Sequence, residues 1–179
     1  AIAGYYRAVI AQTGPAPVCL QDYPQTLGVH FSIELLISIF KEHPSICMLK
    51  HEDNPGLNKL ARFRQACDRD IGRRVSVLVG NGALFLPEEM ARGADGAMTG
   101  FAYPEMMAAV VEHYNKGELE RGQDIFNAYL PLARFEQQPG MGLAIRKYTL
   151  AKRGIIAHDA LRKPGAALSE QSREEVDRL

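Results

Sequence analysis

The chain has 179 residues, enough for one domain with a sizeable core but short of the roughly 250 that a complete eight-stranded α/β barrel takes. Lysine plus arginine equals aspartate plus glutamate, 21 against 21, so no cationic footprint for nucleic acid or an anionic membrane is present, and no apolar run approaches the about 20 residues that span a bilayer. Cys19, Cys47 and Cys67 are far apart and form no CxxC pair, and the N-terminus shows no charged-then-apolar leader, which points to a reducing cytoplasm and to a small neutral or anionic metabolite as partner.

Four β-prone runs stand out: "VCLQDY" (18 to 23), "ICMLKHE" (46 to 52), "VSVLVGN" (75 to 81) and "GAMTGF" (96 to 101). Each is apolar on both faces, as in a parallel sheet covered on both sides. After the first run, "SIELLISIFKEH" opens on Ser32 as an N-cap and aligns Leu35, Leu36, Ile39 and Phe40 in one stripe. After the second, "NPGLNKLARFRQACDRDIG" predicts a helix capped by Asn54, with Pro55 at its first position and Gly72 at its close. "LPEEMARG" is a short helix before the fourth run. Strand, helix, strand at this spacing means right-handed βαβ units. Beyond residue 102 helices take over: Tyr103 to Lys116, Glu118 to Phe135, Gly142 to Arg153, and a polar last helix capped by Ser169 or Ser172. The expected division is residues 1–102 and 103–179.

"SICMLKHE" places two charges at the end of an apolar run. Lys50 and Glu52 are two residues apart in an extended chain, so they share a face, at the carboxyl end of a strand, where α/β folds put their chemistry. A desolvated lysine is a nucleophile able to form a Schiff base with a ketone, and a neighbouring carboxylate can move the protons that follow. The plain alternative is an ion pair that merely ends the strand. Gln21 and Tyr23 share a face of the first run in the same way. Gly80 and Asn81 close the third, offering close backbone approach and an amide, and Thr99 and Gly100 stand near the end of the fourth. "GNGALF" has Phe85 where a dinucleotide fingerprint needs its third glycine. His51 falls on the opposite face as a packing residue. No cluster has metal-ligand spacing, and no Ser or Cys sits in a nucleophile elbow.

Together, Lys50 after its apolar run, Gly80 ending a strand about thirty residues later, "GADGAMTG" and the helical C-terminus resemble the class I aldolase superfamily of dihydrodipicolinate synthase and N-acetylneuraminate lyase. The resemblance runs from about residue 1 to 165 and implies an α/β fold of the (β/α)8 TIM-barrel type, here strands five to eight with a C-terminal helical extension. It also implies that Lys50 forms the Schiff base with a small 2-oxo acid, that no cofactor or metal is needed, and that the chain assembles as a homodimer or homotetramer. In both parent activities a tyrosine within Y-N-x-P is catalytic; "QDYP" puts Gln21 at that position and Tyr23 two places on. The synthase's arginine is replaced in "PQTLG" by Thr26, and Glu52 stands where the synthase has a small residue.

"QDYP", "KHEDNPGL", "VGNGALFLPEE" and "GAMTGFAYPE" are more similar to the branch that includes L-2-keto-3-deoxyarabonate dehydratase. By that resemblance Lys50 forms the imine, Glu52 removes the C3 proton and assists loss of the C4 hydroxyl, and Gln21, Tyr23, Gly80, Asn81, Thr99 and Gly100 line the substrate. An aldolase of the same superfamily releasing pyruvate is the alternative outcome, and a non-catalytic half-barrel module is another. The family's first four strands, with the Gly-Thr-rich turn that grips the substrate carboxylate, have no counterpart in these residues and are expected in a longer chain or a partner.

Overall fold

The computed structural model describes residues 1–179. In chain order the elements are α1 (Ile2–Thr13), β1 (Val18–Asp22), α2 (Pro24–Leu27), α3 (Ile33–Glu42), β2 (Ile46–His51), α4 (Leu57–Ala66), a π-helical turn (Cys67–Ile71), β3 (Ser76–Val79), a 3-10 turn (Asn81–Ala83), α5 (Leu86–Ala91), β4 (Gly96–Ala97), α6 (Pro104–Asn115), α7 (Leu119–Glu136), α8 (Gly142–Lys152) and α9 (Glu170–Arg178). The strands form one all-parallel sheet in the order β1-β2-β3-β4, so each strand lies beside the next through a helical crossover.

Two compact units emerge: Ala1–Gly80 with Glu88–Met98, and Asn81–Pro87 with Thr99–Leu179. The first holds the whole sheet. Its core joins Leu20, Ile46, Leu49, Val77 and Val79 of the strands to Leu36, Ile39, Phe40, Leu60 and Phe63 of α3 and α4, all buried. Phe40 and Phe63 meet edge to face at 5.0 Å. Arg64 of α4 donates to the carbonyls of Gly93 and Val75 and pairs with Asp95, whose carboxylate also accepts the Val77 amide; this fixes the approach to β4. In the second unit α6 to α9 bury Met106, Val110, Phe126, Leu132, Ala133 and Ile145. Glu136 of α7 is 0% exposed in its side chain and is neutralised by Arg146 of α8, Nε to Oε1 at 2.6 Å.

Two boundaries and one helix differ from those expected. Helix α4 begins at Leu57, with Gly56 as its cap, because residues 54–56 form a bend in which the Asn54 carbonyl accepts from Gln25 and the Gly56 carbonyl from His51 Nε2. Strand β4 has two residues, so Thr99 and Gly100 lie beyond it. Helix α1 was not signalled by the hydropathy pattern and buries none of its residues fully. Of the two candidate caps of α9, Ser169 is the one used, its Oγ accepting the Ser172 amide at 3.1 Å.

Candidate active site

Strand register builds the site. Gln21 of β1 pairs with Lys50 of β2, and Asp22 with His51; Lys50 and His51 face Leu78 and Val79 of β3. The ladder runs on past the strands, with the Glu52 amide donating to the Asp22 carbonyl (2.8 Å) and the Gly80 amide to the His51 carbonyl (3.2 Å). Alternation then puts Gln21, Lys50 and Glu52 on one face and Asp22 and His51 on the other. Lys50 Nζ lies 2.9 Å from Glu52 Oε1, and Gln21 Nε2 donates to that same oxygen at 2.8 Å. The Glu52 side chain is 7% exposed and that of Lys50 23%, so the carboxylate is sequestered while the amine can be reached.

Gly80, expected as bare backbone for a ligand, borders Glu52: a Cβ built there would overlap Glu52 Cγ and Cδ and come within 2.5 Å of Oε2. Tyr23 stands just after β1 at the N-cap of α2, partly buried. The first unit thus brings Gln21, Lys50, Glu52 and Gly80 together. In the second unit Thr99 Oγ1 accepts the Gly82 amide at 2.9 Å, Asn81 adopts a left-handed φ of 50°, and the space over Gly100 is taken by the Arg146 guanidinium, which donates to the Gly100 carbonyl at 2.9 Å. Glu136 accepts the Ala102 amide beside it.

The opposite face carries a second polar group of the first unit. His51 is 1% exposed; because its Nε2 meets a carbonyl oxygen, that nitrogen carries the hydrogen, and Nδ1 faces Asp22 Oδ2 at 3.5 Å. Lys59 Nζ lies 2.7 Å from Asp22 and 2.9 Å from Asp53. Burial pushes the Asp22 carboxyl up, but hydrogen bonding and charge from His51 and Lys59 outweigh it and hold the group below the usual carboxylate range. Nearby Glu89 of α5 lacks such partners, and burial raises its carboxyl to about 7. Asp22, Lys59, Arg146 and Glu136 were not found from the sequence; the one legible signal was Asp22, which alternation sets opposite His51 once the two strands are paired. No group of three or more His, Cys, Asp or Glu side chains is arranged to hold a metal ion, and no helix is long and apolar enough to cross a membrane.

A parallel βαβ sheet whose second strand presents a paired lysine and carboxylate at its carboxyl end defines a barrel-type α/β protein with its polar site at the strand ends. The chain belongs to the dihydrodipicolinate synthetase family, whose model matches residues 1–179. It is 27% identical over 172 residues to L-2-keto-3-deoxyarabonate dehydratase of Azospirillum brasilense, covering 96% of this chain and 54% of that protein. Dihydrodipicolinate synthase from Rhodopseudomonas palustris is similar in structure with a TM-score of 0.94 and 46% identity, over 99% of this chain and 59% of that one. A prophage protein of the dihydrodipicolinic acid synthase family from E. coli, solved in complex with pyruvate, shares the fold at a TM-score of 0.82 and 17% identity, over 98% and 58% of the two chains. This chain therefore spans just over half the length of these relatives, and its sheet is a partial (β/α)8 barrel, strands five to eight, followed by the C-terminal helices.

Proposed function

We propose that this chain carries the Schiff-base machinery of a lyase that removes water from a 2-keto-3-deoxy sugar acid. The observation that supports it is the Lys50–Glu52 pair, 2.9 Å apart at the carboxyl end of β2. The neutral Lys50 amine attacks the C2 ketone, and Glu52 stands beside it to move the protons that follow imine formation. Loss of the ketone oxygen as water leaves an iminium, which withdraws electrons from C3. The Glu52 carboxylate takes a C3 proton, giving an enamine; its electron pair forms the C3–C4 double bond as the C4 hydroxyl leaves, protonated from the same carboxyl. Hydrolysis of the imine returns the amine and a product one water poorer than the substrate. The iminium is the electron sink, so this route calls on no other cofactor.

Gln21 favours dehydration over the activities that the resemblance attaches to a tyrosine at its position. The same argument bears on the synthase activity, since the resemblance places the synthase's arginine where this chain has Thr26. An aldolase outcome uses the same imine but breaks the C3–C4 bond and releases pyruvate.

Borohydride reduction in the presence of 2-keto-3-deoxyarabonate, and separately of pyruvate, followed by peptide mass spectrometry, tests the proposal. The expected result is a reduced adduct on Lys50. Coupled lactate dehydrogenase then reports pyruvate from the sugar acid only if the aldolase outcome holds. An adduct on another lysine, or none on a chain completed to the length of its relatives, overturns the Schiff-base reading.

A further inference from the structure

Glycine at position 80 has two possible physical reasons, a backbone that only glycine adopts or a space that a side chain would fill. The first does not apply: Gly80 is absent from the positive-φ residues, whereas Gly82 two places on has a φ of 64°. The second does. A Cβ at residue 80 would overlap Glu52 Cγ and Cδ, with Oε2 at 2.5 Å, and those are the nearest atoms to it. The position is fixed from the backbone as well, because the Gly80 amide donates to the His51 carbonyl, one residue before Glu52. On the other side Gln21 Nε2 holds Glu52 Oε1 at 2.8 Å. The Glu52 side chain therefore lies in a slot whose wall at residue 80 is bare backbone and whose rim at residue 21 is a hydrogen-bond donor. With that slot open its carboxylate stands 2.9 Å from Lys50 Nζ.

We propose that Gly80 is a positioning residue that acts through Glu52: its missing side chain is the space that sets the carboxylate against the Lys50 amine. The assignment rests on the acid/base role proposed above for Glu52, and it goes beyond that role by naming what fixes the geometry. Adding one methyl group at residue 80 displaces the Glu52 side chain rather than straining the backbone, so the effect belongs to the carboxylate, is eased when that side chain is shortened and is gone when it is removed.

Four variants of the full chain test this: Gly80→Ala, Glu52→Asp, Gly80→Ala with Glu52→Asp, and Gly80→Ala with Glu52→Ala. Two kinds of readout separate the inference from the reading beneath it. On a chain that traps pyruvate at Lys50 and dehydrates the sugar acid, Gly80→Ala is expected to lower dehydration at least tenfold while Lys50 trapping stays within about threefold, a positioned acid/base group being worth roughly two to four orders of magnitude. The shorter acid in the Gly80→Ala, Glu52→Asp double variant is expected to restore part of that rate, a rescue that a purely structural role would not give. Dehydration by Gly80→Ala within twofold of the parent, or a double variant no faster than Gly80→Ala, overturns the proposal. Should the parent trap nothing and turn nothing over, the reading of the reaction has failed, and the thermal midpoint decides the placement. Gly80→Ala is then expected to melt below the parent and to lose that deficit in the Glu52→Ala background, where the arm is gone. Equal deficits in both backgrounds mean that residue 80 does not act through Glu52.

Discussion

Two buried carboxyls behind the sheet show how partners, not burial, decide a charge. Asp22 and Glu89 are both almost inaccessible, yet Asp22 is held below the usual range by His51 and Lys59 while Glu89 is raised to about 7. One Glu89 oxygen is buried without a hydrogen-bond partner, and the adjacent Glu88 adds like charge. The sign follows from linkage. A carboxyl easier to ionise in the unfolded chain than in the fold gives stability that is full below its unfolded value near 4.5 and is lost as the pH rises through about 7. Ionised Glu89 therefore costs on the order of 2–3 kcal/mol at pH 8 relative to pH 4.5. Glu89→Gln keeps the shape and removes the charge, so the variant is expected to melt above the parent at pH 8 and to show a flatter fall of melting temperature between pH 5 and 8. Parallel melting curves across that range would show that Glu89 has a partner in solution. Asp22 has the opposite sign, its contribution being present at neutral pH and lost only on acidification below the usual carboxylate range.

Elements were legible where the signal is local. Helix α3 could be read from Ser32 and the Leu36, Ile39 and Phe40 stripe, and the structure has the Ser32 Oγ accepting the Leu35 amide at 3.1 Å, with Glu34 in the first turn and Lys41 in the last. Ser32→Ala leaves that amide without its acceptor and is expected to cost about 1 kcal/mol in urea denaturation, with an unchanged slope. A loss under a few tenths of a kcal/mol would mean that water or Glu34 satisfies the amide instead. The parallel strands were legible for a similar reason, since burial on both faces writes apolar runs into the sequence. Lys50 and Glu52 were found because alternation along a strand is rigid. Other features were hidden because their partners are remote in the chain. Glu136 and Arg146 lie on different helices and reach Ala102 and Gly100, 34 and 46 residues earlier, only through tertiary packing. Arg64 likewise fixes Gly93 and Asp95 across about thirty residues. The start of α4 was misplaced because Asn54 and Pro55 carry strong helix-start propensity, which the bond from His51 to the Gly56 carbonyl overrides.

At the scale of the molecule, the sheet sets the strongest demand. It has four strands in sequential order, so β1 and β4 each present one edge with no further strand beside it. Beside β1 lies an apolar cleft of about 460 Å³ lined by Tyr5, Tyr6, Leu27, Val29 and Phe31, with Gln21 at its polar end; Tyr5 and Leu27 are 65% and 53% exposed. Unpaired parallel edges flanked by apolar surface are templates for further pairing. The relatives have longer chains; in these 179 residues no further strand pairs with either edge. The chain by itself is therefore expected to associate, as a dimer, a tetramer or larger species, or to bind the four strands that would complete the barrel. Sedimentation at micromolar concentration, repeated with the complementary half-barrel added, distinguishes these results. Amide exchange adds a local check: the Cys19 and Gln21 amides, which alternate with those turned toward β2, should be slow only in the associated species. A single monodisperse monomer in which those amides are already protected would mean that β1 is covered from within the chain, and the demand for a completing surface would fall.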